Sequence, residues 1–422
     1  MQPRRHPPGA PAPDASPPLP AAPDSAGAAA RQALLLFHDD SSLAVARAFA
    51  DLLVARDWVP TLVRFLAESD DTTRLSDRQL ALGLGPYGPA PTMHARTVAD
   101  PAFLDRFAIV ASAKFPALYR CLWRWRGWRF RRRPVFVGFF PGLELRPEIG
   151  FRLRASVDIL CLVTEADRHA YSATPLTTRP THQRTLRLHP RLIRAGQPGR
   201  MAQGPCRRIV FFTQSVVPAS LEGRRHVATL LLEIAHTHPD AEVVVKLRHR
   251  VEENRHHAHV ERYGYEALLA EMAPAPPANL TIADGPMESV LDADLAITCS
   301  STAGMETLAE GIPTLFFLDF PGAEGEALTA PMRRVLQGSG LLADRQAILE
   351  LEQRAPAPAW RDAVLSSDAD LDALLSAVAA FRAKPPAPPP SPLGPLAPAL
   401  AHAEQRLRSA ISRTRRMIRR LR

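Results

Sequence analysis

Two doubly wound α/β domains facing a cleft, with a disordered N-terminal tail and a basic C-terminal helix, are the architecture predicted for this chain. Three observations predict it. Short apolar runs alternate with helix-length stretches, the alternation starts afresh after residue 204, and both ends of the chain differ sharply in composition from the middle. With 422 residues and 46% hydrophobic side chains, the chain can fill two cores.

Residues 1–30 are rich in Pro and Ala without periodicity and are expected to stay disordered, because they can bury too little surface to offset chain entropy. An N-terminal domain over residues 31–196 is predicted from strands at Ala33–Phe37, Thr61–Phe65, Phe107–Ala111, Val135–Phe139 and Ile159–Val163, with helical stretches such as Ser42–Ala55 between them. A linker around Gln197–Gly204 leads to a second domain over residues 205–384. Its strands are predicted at Ile209–Thr213, Glu242–Leu247, Leu280–Ala283, Leu295–Thr298 and Thr314–Leu318, with a helix over Gly223–His236. This βαβα order implies mostly parallel sheets covered on both faces, with ligands at the carboxyl ends of the strands. Residues 385–400 (PPAPPPSPLGPLAPAL) read as a second Pro-rich linker, and residues 401–422 as a basic amphipathic helix.

Composition excludes several classes. The four cysteines, Cys121, Cys161, Cys206 and Cys299, are far apart with no C-x-x-C pair, so neither a zinc cage nor a disulfide framework is predicted. His249, His256, His257 and His259 fall in one polar loop but lack the i, i+4 helical pair of zinc hydrolases, and no metal site is expected. No apolar run approaches the roughly 18–20 residues that span a bilayer, and the first thirty residues lack the apolar core of a secretion signal. A cytoplasmic location is the expectation. Of the net charge of +9, eight Arg and one Glu between Glu404 and Arg422 supply +7.

The most informative segment runs from Ala293 to Pro313 and reads as strand, hydroxyl-bearing turn, helix, turn, strand. Ser300-Ser301 form the turn, Thr302–Glu310 the helix, and Gly311 and Pro313 close it. A helix N-terminus carries unpaired N–H groups and about half a positive charge, so small hydroxyl residues there let a phosphate approach. The alternative is that one serine simply caps the helix; no Glu or Gln stands three residues after either to complete a capping box. The other strands of this half also end in polar or Gly-containing turns: Gln214-Ser215, Lys246-Leu-Arg-His249, Asp284-Gly285-Pro286 and Asp319. Lys246 is one of only three lysines (with Lys114 and Lys384) among 52 basic residues, and it directly follows Val243-Val-Val245. A cation at that strand end suits a phosphate, or else simply lies beside Arg248 on a solvated surface.

Taken together, the Ser300-Ser301 turn, the Ala293-Asp294 strand entry, Glu306 and the Gly311-Ile-Pro313 turn resemble the donor-binding half of bacterial glycosyltransferases with two Rossmann-like domains, the GT-B type. Phe212-Thr-Gln-Ser-Val-Val-Pro218, Val244-Val-Lys-Leu-Arg248, Asp284-Gly-Pro-Met287, Asp39-Asp40-Ser41 and Gly138-Phe-Phe-Pro-Gly142 are similar to an uncharacterised family of such transferases, over roughly residues 31–345. More distantly the chain is similar to bacterial sialyltransferases and capsule-building transferases that use CMP-linked sugars. That resemblance implies that Ser300, Ser301 and Thr302 meet phosphate, that Lys246 and His249, with Gln214, Ser215 and Asp319 nearby, flank the nucleotide, and that Gly285, Pro286 and Met287 hold the base; the likeness to GT-B enzymes implies that Glu306 meets the ribose, a solvated helix face being the alternative. Lys246-Leu-Arg-His249 stands where those enzymes carry a His-Pro pair, so the donor nucleotide is left open.

The implied reaction moves a sugar from a nucleotide-sugar co-substrate, without metal or cofactor, to a cell-surface or capsular polysaccharide or glycolipid. Helix N-termini and Lys can stabilise the departing phosphate without a metal. An inverting transfer also needs a base near the acceptor hydroxyl. His38, Asp39 and Asp40 follow the first strand at the cleft edge, and Glu144 follows the Gly138–Gly142 turn; Asp39 or Asp40 could instead cap the helix that starts near Ser41. Retention or inversion stays open.

Two basic segments remain. Leu407, Ile411, Thr414, Ile418 and Leu421 recur at spacings of four and three among arginines, an amphipathic pattern suited to an anionic membrane surface, with a short coiled coil or an RNA-binding arm as alternatives. Arg120–Arg133 mixes three Trp with seven Arg, which also suits a bilayer surface, although Phe115, Leu118, Leu122 and Trp125 share a helical face that packing could claim. The rival readings are a non-catalytic nucleotide-binding or scaffold protein of the same fold, and a nucleic-acid-binding protein that uses the tail. Against the latter, little net charge lies outside the tail.

Overall fold

The computed structural model describes residues 31–66, 75–124, 126–143, 147–176, 179–194, 205–256, 260–321, 323–385 and 394–420. The N-terminal tail, the linker around Gln197–Gly204, Trp125, Glu144, His257, His259 and Leu421 lie outside these residues. Two wholly parallel sheets carry the fold. The first comprises β1 (Gln32–Phe37), β2 (Val59–Leu66), β3 (Thr92–His94), β4 (Ile109–Ser112), β5 (Val135–Gly138), β6 (Ile159–Leu162) and β7 (Arg184–Arg187), in the order β3-β2-β1-β4-β5-β6-β7. The second comprises β8 (Arg208–Phe212), β9 (Glu242–Lys246), β10 (Leu280–Ala283), β11 (Leu295–Thr298), β12 (Thr314–Phe317) and β13 (Leu342–Ala343), in the order β10-β9-β8-β11-β12-β13.

All ten predicted strands are present, most because they are apolar runs that helices cover on both faces; Ala33 to Phe37, for instance, are all buried, while β10 is a half-exposed edge strand. The strands without an apolar signature, β3, β7 and β13, are short or polar edge pieces. Both sheets share the 3-2-1-4-5-6 order of the Rossmann fold, so strand order reverses between β1 and β4 in the first and between β8 and β11 in the second. A crevice opens at each reversal, where the loops leaving neighbouring strands diverge.

The helices start where the sequence provides caps. Asp39 caps the helix Asp40–Val54 in a reciprocal box with Ser42, Ser220 caps Leu221–Thr237, and Ser301 caps Thr302–Ala309. The last of these ends on Gly311, whose φ of 81° only glycine adopts without strain.

The chain crosses back at its end. Leu371, Leu374, Ala377, Val378 and Phe381 of the helix Asp368–Ala383 join the core of the first sheet with Phe37, Phe49, Val137 and Phe139, and Arg56 and Arg187 pair with acids near the helix start. By packing, this helix belongs to the first sheet rather than with the rest of residues 205–384. A further helix runs over Ala397–Arg420, so it begins inside the stretch 385–400 expected as linker. Trp123 and Trp128, expected at a bilayer surface, instead pack in an aromatic cluster with Phe115, Tyr119, Phe130 and Phe136.

Candidate active site

The carboxyl edges of the two sheets face each other, and most of the predicted residues lie on them. On the second sheet, the loops after β8 and β11 meet at the strand-order reversal. The Gln214 side-chain oxygen accepts from the Ser300 backbone N–H (2.7 Å) and the Ser300 hydroxyl (3.1 Å). Ser301 takes the capping role, its hydroxyl accepting from the Ala303 N–H at 3.2 Å. The N-terminus of the helix Thr302–Ala309 therefore opens at the crevice with Ser300 beneath it.

The Gln214 loop is held from below by Arg224, which is almost fully buried. Its guanidinium donates to the carbonyls of Gln214, Ser215, Pro218 and Tyr263 and pairs with Glu261. His249 braces the same loop from the side. Its Nδ1 meets the Arg250 carbonyl at 3.1 Å and its Nε2 lies 3.5 Å from the Ser215 hydroxyl, so this buried ring supports the loop instead of flanking open space.

Lys246 ends β9 and is buried, its ammonium donating to the Leu247 carbonyl at 3.1 Å. Burial pushes this ammonium down to about 8; nearby Asp284 opposes the shift and Arg78 adds to it. Gly285, Pro286 and Met287 form the turn after β10, where Met287 packs against the small core around Val210, Phe212 and Val244, while Asp319 is exposed after β12.

On the opposite wall, the carboxylates after β1 have separate roles. Asp39 is buried, caps its helix and pairs with Lys114 after β4, spanning the strand-order reversal of the first sheet. Burial alone would raise its carboxyl, but Lys114 and the Ser42 hydrogen bonds outweigh burial and hold it below the ordinary carboxylate value. Asp40 points across the cleft and pairs with Arg248 at 2.7 Å. His38 stacks on Phe65 with ring centroids 5.0 Å apart, and its Nδ1 lies 3.0 Å from the Phe65 carbonyl oxygen. A carbonyl only accepts, so Nδ1 donates in this bond and Nε2 is the ring nitrogen that can take up a proton.

Further contacts close the walls together. Arg78 reaches Glu253 (3.2 Å) and Asp284 (3.0 Å), and the Ser76 hydroxyl donates to Glu253 at 2.6 Å. Gly142 abuts the start of the helix Thr302–Ala309, where a Cβ would lie 2.5 Å from the Thr302 hydroxyl oxygen. Glu306, one turn into that helix, is paired with Arg191 of the first domain at 2.5 Å; burial raises its carboxyl above the ordinary value even though Arg191 opposes the shift. Glu306 is thus neither on a solvated face nor open to a ribose in this arrangement. Lys114, Arg78, Arg191 and Arg224 are the site residues that sequence reasoning missed. Among the described residues, no group of three His, Cys, Asp or Glu side chains is placed to hold a metal ion.

This geometry can be set beside known proteins. No curated protein is significantly similar in sequence. Among solved structures, a "putative UDP-N-acetylglucosamine 2-epimerase" of Listeria monocytogenes has a TM-score of 0.50 at 10% identity, covering 85% of this chain and 98% of that one. The MnaA protein of S. aureus in its structure with UDP gives 0.47 at 8% identity (76% and 87% covered), and a glycosyltransferase of Rickettsia africae gives 0.44 at 12% (84% and 99%). At 10% identity the likeness to the Listeria protein concerns the fold alone, which with its two Rossmann-like parallel sheets is of the GT-B type. A family profile matches residues 36–381, and on that match the chain belongs to the family described as "Putative glycosyltransferase (DUF6716)".

Proposed function

We propose that the chain transfers a sugar from a nucleotide-sugar donor to a hydroxyl of a cell-surface or capsular polysaccharide or glycolipid, without a metal ion. The observation that carries this reading is the convergence of two different walls on one cleft. One offers a helix N-terminus with Ser300, Ser301 and Lys246, and the other offers His38 and Asp40 at the opposing sheet edge.

In this reading the donor phosphate sits at the start of the helix Thr302–Ala309, where oriented N–H groups and the helix dipole meet the charge that grows as the sugar leaves. Lys246 adds a cation from β9. The acceptor hydroxyl loses its proton to His38 Nε2, the ring nitrogen left to accept when Nδ1 donates to the Phe65 carbonyl. Asp39 cannot easily serve, because its oxygens already hold Lys114, Ser42 and the helix cap. The Arg248–Asp40 pair at the mouth is partly exposed and worth about 0–1 kcal/mol, so substrates can displace it.

The test is release of free nucleotide from a panel of sugar nucleotides by the full chain, with excess chelator present. The proposal expects release from one donor class, undiminished by chelator and accelerated by a glycan acceptor. Release that stops with chelator would overturn metal independence, and no release from any donor would favour a non-catalytic binding role.

A further inference from the structure

The two arginine-rich segments noted in the sequence come together in the fold through their described residues, Arg120–Arg124 and Arg126–Arg133 on one side and the helix that carries Glu404–Ile411 on the other. The helix Ala397–Arg420 lies along the helix Ala117–Arg124 through a seam of small and polar side chains. Ala397, Ala401, Gln405 and Ser409 are all buried, and a Cβ on Gly127 would stand 3.1 Å from the Pro398 Cα. Arg124 pairs with Glu404 at 2.8 Å, and Arg129 donates to the Gly394 carbonyl at 2.8 Å.

The helix turns a different side to solvent. Leu400, Leu407 and Ile411 are 37%, 63% and 45% exposed, and at 100° per residue they fall within about 40° of one another, centred about 120° from the middle of the buried seam. Arg406 and Arg408 lie beside this stripe, and Arg124, Arg126, Arg129, Arg131 and Arg132 are exposed on the neighbouring segment. Arginines lie close together here: burial lowers the hold of Arg120 and Arg382 on their protons, and the neighbouring charges of Arg408 and Arg132 lower it a little further. Glu404 is the one acid within either segment.

We infer that this composite face docks on an anionic lipid bilayer, the arginines meeting headgroup phosphates while Leu400, Leu407 and Ile411 enter the acyl boundary. A polyanionic plane relieves the crowding of arginines, and exposed aliphatic side chains beside them have a place to go in a bilayer that a nucleic acid does not offer. The attachment is superficial, since no helix among the described residues is long and apolar enough to cross a membrane. The inference is independent of the transfer chemistry, although it would place a glycolipid acceptor at hand.

Co-sedimentation of the full chain with vesicles tests it. Binding is expected to vesicles of phosphatidylcholine with phosphatidylglycerol and not to phosphatidylcholine alone, and to weaken as salt rises. Leu407→Ser with Ile411→Ser should cut binding about tenfold or more, and Arg131→Glu with Arg132→Glu, on the other segment, about thirtyfold or more, each variant keeping the parental unfolding temperature. Equal binding to both vesicles, no binding, or full binding by the Arg131/Arg132 variant would overturn the composite face. Salt-sensitive binding of RNA in preference to the anionic vesicles would replace the lipid with a nucleic acid.

Discussion

Replacing His38 by alanine is expected to slow sugar transfer by about 10²- to 10⁴-fold, the usual contribution of a positioned base, while leaving donor affinity unchanged. The expectation rests on orientation. His38 is held by stacking on Phe65 and by its Nδ1 bond to the Phe65 carbonyl, which assigns the basic lone pair to Nε2. Neighbouring carboxylates are otherwise engaged: Asp39 in its cap and with Lys114, Asp40 with Arg248. Asp40→Asn is therefore expected to cost much less than His38→Ala. Rates and donor affinities measured together decide the matter, since loss of a base lowers kcat and leaves ground-state binding intact. A His38→Ala enzyme within about threefold of the parent would remove His38 from the mechanism and return the role to Asp40 or Glu144.

The second large effect concerns Lys246. Its ammonium titrates near 8 because burial disfavours the charged form. A phosphate needs that charge, so nucleotide affinity is expected to hold steady below pH 8 and to fall by up to tenfold per pH unit above it. The stability contribution runs the other way. The folded value lies below the ordinary 10.5, so the unfolded chain holds the extra proton between about pH 8 and 10.5, and this group favours folding progressively more as pH rises through that window. Lys246→Met should weaken nucleotide binding at pH 7 by about 1.5–3 kcal/mol, the usual worth of a hydrogen bond to a charged group, and abolish the alkaline decline. Isothermal titration of both proteins from pH 6.5 to 9.5 measures it, and a decline that persists in the variant would assign the titration elsewhere.

The fold was legible because parallel strands covered on both faces are apolar throughout, so that β1, β8, β9 and β11 announce themselves as runs. Edge strands escape that logic, as Arg184–Arg187 does with only one apolar side chain among its four. On the site, the turns after the strands pointed to the right edge, yet they did not reveal which side chains face the cleft. His249 sits at a favourable spacing but turns inward to Ser215, and Asp39 is consumed by local capping that a sequence equally allows. Lys114 could have been found by the same scarcity argument that singled out Lys246, since it follows β4. Arg191 and Arg224 could not, because their partners are set by how one domain meets the other or by how a distant loop folds. The crossing of Asp368–Ala383 back to the first sheet was likewise invisible, since an amphipathic helix does not say which core it covers.

The central claim is that the Ser300-Ser301 turn and its helix bind the donor phosphate, and thermal unfolding of the full chain with CMP, CDP, UDP, GDP and ADP in turn tests it most directly. One nucleotide class should stabilise the protein, by about 2.7 kcal/mol at a hundred times its dissociation constant, and Ser300→Ala with Ser301→Ala should abolish the effect. Stabilisation that survives the double substitution, or none with any nucleotide, would contradict it.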